Sequence, residues 1–325
     1  MSLLLALALS RTAHAADGEK KPELPPVTVN ALVFAHYGYT LDVAANNANS
    51  FELDRAYLGA QSQVSEHLGV KVLLDAGRLD DLTADTKYRV FLKNAWLEAS
   101  NGKIIKARFG VVDTGYVPYS EAFIGGRYIT KMFSDEQKVQ TTADLGVNAQ
   151  GDCAGGLVTW HAAILNGEGY SKPEIDAGKT GTARVSVNPL SKSTTLALPM
   201  TGYVSYSLPG TKGADGVTVA VGAIGLKVPH VLAWAEYVEK MTGGVNSGGF
   251  SVTVSPSVPK VGGLLLRFDQ FDPDQSASGD SSMKLLAGVN HDFLPKVSAA
   301  LAYQRIQPEV GTETHGLYLS MQAGF

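Results

Sequence analysis

In the stretch KARFGVV, Lys106 and Arg108 stand at alternate positions among Ala107, Phe109 and Val111. On a strand, side chains two apart share a face, so this spacing gathers the cations on one side and the apolar groups on the other. The same sorting recurs in VKVLLDAG, where Lys71 and Asp75 oppose Val70, Val72 and Leu74, and in LLLRFDQ, where Arg267 and Asp269 oppose Leu266 and Phe268. Ionic side chains aligned on one face act on a passing solute through their field, without making or breaking bonds. Arg55 and Lys284 add cations to such faces, and Glu236 and Asp292 add carboxylates.

Bond-making chemistry has weaker support. His161 and His291 both fall in strand-like segments and serines are plentiful, yet no spacing sets a Ser, a His and a carboxylate apart as a catalytic group. Asp272, Asp274 and Asp280 in DPDQSASGD offer carboxylate oxygens of the kind calcium takes, but the stretch reads first as a solvated connection. GGVNSGG lacks the helix pattern that a phosphate cradle needs after its glycines, and reads as a flexible loop. The single Cys153 excludes an intramolecular disulfide and a cysteine-rich metal cluster. No enzyme activity, cofactor or metal is expected.

The elements that position the charges are strands. From Val27 onward the chain breaks into about sixteen segments of roughly ten residues with period-two alternation, the length a tilted strand needs to cross a bilayer. Between them, very short connectors (SEH, NGK, GDCAG, LSKS, KVPH, VPK, LPK) alternate with longer ones rich in Gly, Asp, Ser and Thr, such as TLDVAANNANS and DPDQSASGDSS. One segment sorts badly: in YRVFLKNAWLEAS either parity turns a charge to the apolar side, Arg89 and Lys93 or else Glu98, so a bulge or snorkelling is expected there. The final GLYLSMQAGF sets Leu317, Leu319, Met321, Ala323 and Phe325 on one face.

With 325 residues, a net charge of -4 and 18% charged residues, the composition argues against a nucleic-acid binder and against disorder. The apolar run Leu3 to Leu9 followed by Ala13-His14-Ala15 fits a cleaved signal peptide over residues 1–15, although no Lys or Arg precedes the run. Residues 16–26 then read as a short periplasmic linker and 27–325 as one all-β domain. A Lys or Arg facing lipid at mid-membrane costs about 2–4 kcal/mol, so the charged faces belong around a watery lumen. The expected fold is a transmembrane antiparallel β-barrel of about sixteen strands, with the short connectors on the periplasmic side.

One connection is out of scale. Asp113 to Ala143 carries aromatics, balanced charges and a possible helical turn near Ser120 to Phe123, and a connection so long usually has a role. Here KIIKARFGVVDTGYVPYSEAFIGGRYITKMF, followed by DLGVNAQG and AAILNGEGY, resembles the central region of bacterial outer-membrane porins of the phosphate-selective O and P type; the matching positions are Gly110, Pro118, Glu121, Gly146, Val147, Asn166 and Gly167. The resemblance implies a sixteen-stranded passive diffusion channel in the outer membrane, commonly a homotrimer, whose third external loop folds into the lumen. Arg55, Lys71, Asp75, Lys106, Arg108, Asp113, Glu121, Arg127 and Lys131 are then the expected pore-lining and constriction residues. Phe325 is the expected signal for the barrel assembly machinery, and membrane lipid the expected surroundings.

Phosphate selectivity is not part of that expectation. The lumen cations Arg55, Lys71, Lys106, Arg108, Arg267 and Lys284 are met by Asp75, Glu236, Asp269 and Asp292, and within the loop Arg127, Lys131 and Lys138 are met by Asp113, Glu121, Asp135 and Glu136. Weak selectivity for small hydrophilic solutes follows. The competing reading is an exported soluble β-sandwich for binding or adhesion, with a barrel hydrolase behind it; neither predicts alternating connector lengths.

Overall fold

The computed structural model describes residues 25–41, 49–78, 87–101, 104–211 and 214–325. The signal segment and most of the linker lie outside the described residues. Sixteen strands close into one antiparallel barrel in which each strand pairs with its sequence neighbours and the last pairs with the first. They are β1 (Val27–Thr40), β2 (Asn49–Gln63), β3 (Leu68–Gly77), β4 (Arg89–Ser100), β5 (Ile105–Asp113), β6 (Ala143–Cys153), β7 (Val158–Leu165) and β8 (Lys179–Val187), then β9 (Met200–Leu208), β10 (Val217–Val228), β11 (Val231–Thr242), β12 (Val245–Val258), β13 (Gly262–Asp272), β14 (Ser282–Leu294), β15 (Val297–Pro308) and β16 (Thr314–Gly324). Among the described residues, helix is confined to the long connection after β5, as α1 (Val117–Ile124) and α2 (Phe133–Glu136). Closure leaves no free sheet edge, so every strand has a hydrogen-bonded neighbour on both sides.

The alternation behaves as the sequence implied. Along β13, Leu265, Arg267, Asp269 and Phe271 are buried inside, while Leu264 and Leu266 are exposed on the outer face. In β16, Leu317, Leu319 and Met321 are exposed outside while Ser320 is buried within. The seam joins β1 to β16 in the register Tyr39↔Leu317 to Leu32↔Gly324.

The conflict in β4 is resolved by a bulge. Leu74 pairs with Leu92 and Leu73 with Asn94, leaving Lys93 without a partner in the ladder. The extra residue switches parity, so Val90, Leu92 and Leu97 all lie exposed outside while Asn94 and Glu98 are buried within. A second bulge, at Asp54 of β2, separates the pairs Phe34↔Arg55 and Ala35↔Leu53.

Connector lengths depart from the expected rule twice. The β8–β9 connection is not the short LSKS turn but runs from 188 to 199. The Asn188 side chain accepts from the Leu190 and Leu198 backbone N–H groups, and Pro199, lacking an N–H, can only accept from Gly225. GGVNSGG is not a flexible loop either: β11 and β12 meet in a tight turn at Gly243 and Gly244, with φ of 58° and 83°, and the rest belongs to β12. Two successive residues with positive φ give a turn whose twist matches the strands, and glycine adopts it without strain.

Candidate functional site

The long connection crosses the inside of the barrel. From the end of β5 it turns at Gly115, φ 98°, where any Cβ would strike the buried His161 ring. Pro118 sits at the start of α1, where its missing N–H leaves no helical bond unmade. The helix then runs along the wall of β8 to β11: the Tyr119 hydroxyl bonds the Ser186 hydroxyl at 2.6 Å, and the Arg184 guanidinium lies 4.0 Å from the Tyr119 ring centre. Phe123 packs on Trp234 at 5.3 Å between ring centroids, and this approach requires Gly225, since a Cβ there would stand 2.7 Å from the Phe123 ring. Tyr116, Val117, Met132, Phe133 and Val139 form one buried apolar cluster with Tyr203, Trp234, Val238 and Phe271 of the wall. Further on, Tyr128 packs on Phe34 and Ala300.

Ionic bonds fix the same segment. The Tyr116 hydroxyl donates to the buried Glu236 carboxylate at 2.6 Å. Arg267, 4% exposed, donates to Asp269 at 2.7 Å, to Glu136 at 3.1 Å and to the Lys131 carbonyl at 2.5 Å. Lys284 donates to the other Glu136 oxygen at 2.5 Å. Burial raises the pKa of Glu136, but the nearby Lys284 and Arg267 charges outweigh it and hold the carboxyl below its ordinary range. Glu121 moves the other way, raised by burial despite its bond from Arg127 at 3.0 Å.

The expected lining residues do not gather in one place. Near the root of the connection, Arg108 donates to Glu98 at 2.8 Å and to Asp113 at 3.4 Å, and stacks 4.3 Å over Trp96. Lys106, half exposed near the short turn before β5, reaches Glu98 at 3.7 Å. Lys71 sits between Gln61 and Trp96 in the ladder. Arg55 faces the fully buried Asp75 at 3.4 Å, and the Tyr170 hydroxyl donates to that carboxylate at 2.8 Å. Of the expected residues, Arg55, Arg127 and Lys131 border a cavity of about 680 Å³ at the end of the barrel that carries the longer connections. Lys71, Asp75, Lys106, Arg108, Asp113 and Glu121 do not line it.

Several cavity residues escaped the sequence reading. Among the described residues eight cations line it, namely Arg55, Arg78, Lys93, Arg127, Lys131, Lys138, Lys172 and Lys240, against three carboxylates, Asp135, Asp144 and Glu168. The signal for Lys93 was the parity conflict in its segment. Lys172 and Lys240 carried none, because a connection and the end of a strand have no fixed direction in sequence. His161 lies under the root of the long connection and His291 bonds the Val261 carbonyl; among the described residues neither meets a Ser hydroxyl. The carboxylates of Asp272 and Asp274 accept from backbone N–H groups of their own turn.

No protein-family model and no curated protein sequence matches this chain. Its fold is similar to solved outer-membrane proteins. OmpF of Salmonella typhi, in complex with daunomycin, superposes with a TM-score of 0.70 at 12% identity, covering 93% of this chain and 98% of that one. OprB of Pseudomonas putida gives 0.69 at 10% identity over 92% and 94%. The anion-selective porin of Comamonas acidovorans gives 0.65 at 11% identity over 92% and 99%. At such identities the likeness establishes the fold: this chain is a sixteen-stranded barrel with the architecture of bacterial outer-membrane porins.

Proposed function

We propose that this protein is an outer-membrane channel through which small hydrophilic solutes and ions diffuse passively, with weak selectivity. The observation that carries the reading is the long connection after β5, anchored inside a closed barrel by Tyr116, Phe133, Glu136 and Trp234 while its Arg127, Lys131 and Lys138 border a cavity of about 680 Å³. An apolar outer band and an ionic interior are what a barrel needs between lipid and water. Weak selectivity is supported by pairing: Arg108, Arg127, Arg267 and Lys284 each have a carboxylate within 4 Å that offsets much of their field, while the excess of cations among the described cavity residues tilts the preference toward anions. The likeness to phosphate-selective porins over Gly110 to Gly167 supports the placement of the loop. A phosphate path is not part of the proposal, because among the described residues the interior cations Arg108, Arg267 and Lys284 are met by carboxylates. Assembly as a homotrimer, export by a signal peptide and recognition of Phe325 by the assembly machinery belong to the same reading, which includes no enzymatic reaction.

Planar-bilayer recording with the refolded protein tests it. Stepwise conductance, with a reversal potential under a potassium chloride gradient well short of either ideal value, is the expected result. A protein that folds but never conducts, or one soluble without detergent, would overturn it.

A further inference from the structure

The geometry points to a binding subsite, in the cavity bordered by the long connection, by β2 and β4 and by the wall of β7 to β11, for organic acid anions that carry an aromatic or aliphatic body. The inference rests on the channel reading for its place in transport, but the site is defined by its own lining. Four of its cations, Lys93, Lys138, Lys172 and Lys240, have no carboxylate within ion-pair distance among the described residues. Arg78 is paired with Glu52, which does not border the cavity.

Lys93 is the centre of the site. It is the inserted residue of the β4 bulge, and bulges re-aim side chains where function needs it. Its Nζ bonds the Tyr57 hydroxyl at 3.3 Å and lies 4.8 Å from the Tyr57 ring centre and 5.6 Å from that of Tyr170. Aromatic faces hold an ammonium in place without neutralising it, which leaves its charge for an incoming anion. Beside it, Phe91 and Tyr170 meet edge to face at 6.3 Å and both line the cavity, as do Leu165 and Val219. An inorganic anion would use the cations alone and leave this surface wet. A carboxylate with an apolar body uses both, and about 680 Å³ is the size of a small-molecule site rather than an ion site.

Titration calorimetry of the folded wild-type barrel in detergent with benzoate, acetate and inorganic phosphate tests the subsite without requiring conduction. Benzoate is expected to bind at least about tenfold tighter than acetate or phosphate, and K93Q to weaken it by roughly tenfold, the loss of one charged contact. Lys138→Gln, on the connection rather than the bulge, is expected to weaken benzoate severalfold and serves if K93Q disturbs β4. Equal affinity for the three anions, or benzoate binding unchanged in both variants, would overturn the proposal. In bilayers, benzoate is expected to reduce the single-channel current and K93Q to relieve the reduction. Conductance with no benzoate binding would refute the subsite and leave the channel standing, whereas binding without conductance would do the reverse.

Discussion

Tyr116 and Glu236 meet where a loop residue 120 positions away in sequence caps a buried carboxylate on β11. Tyr116→Phe keeps the ring's packing and removes the donor, so it should cost about 1–3 kcal/mol, read as a lower unfolding temperature and faster protease cleavage in the long connection; an unchanged protein would mean that apolar packing alone holds it. Arg267 is more exacting, because Asp269 beside it is itself 2% exposed. Arg267→Met strands that carboxylate and should destabilise the barrel by roughly 3–5 kcal/mol, whereas adding Asp269→Leu should restore most of the loss. Thermal melts of both variants decide the point. In sequence the pair was visible as neighbours on one face; that Glu136 completes it from the loop was not.

At the scale of elements, the strands were legible because period-two alternation is local, while the path of the long connection was not, because nothing local says which wall it meets. Its anchoring has a pH signature. Glu136 is held below its ordinary range by Lys284 and Arg267, so its contribution is complete above about pH 4.3 and is lost as pH falls through the lower folded value. Acidification should therefore loosen the connection, seen as protease sensitivity or current noise that rises at low pH. Glu136→Gln should show both already at neutral pH, and a flat wild-type profile would sink the account. Gly110 marks the strand before it. With φ of 126° and a Cβ that would strike the Ala95 carbonyl, Gly110→Ala should cost about 1–3 kcal/mol, measured as a smaller folded, heat-modifiable fraction.

For the whole molecule, closure of β1 on β16 makes the end of the chain part of the wall, with Phe325 bonded through its N–H to the Ala31 carbonyl and 70% exposed on the outer face. Deleting Phe325 is expected to lower the amount reaching the outer membrane severalfold while refolding in detergent proceeds normally; a refolding defect of equal size would make its role structural and not a signal. The sequence by itself determined the sixteen-stranded barrel, its inside and outside and the odd length of one connection, since each is written in residue periodicity and spacing. It misjudged the β8–β9 turn, whose connection holds Pro189 and Pro199, and the hairpin at Gly243 and Gly244. Only the tertiary structure decided which charges are neutralised and which face the cavity. Pairing depends on distances between side chains far apart in the chain, and alternation fixes the face of a residue but not the neighbour it meets there.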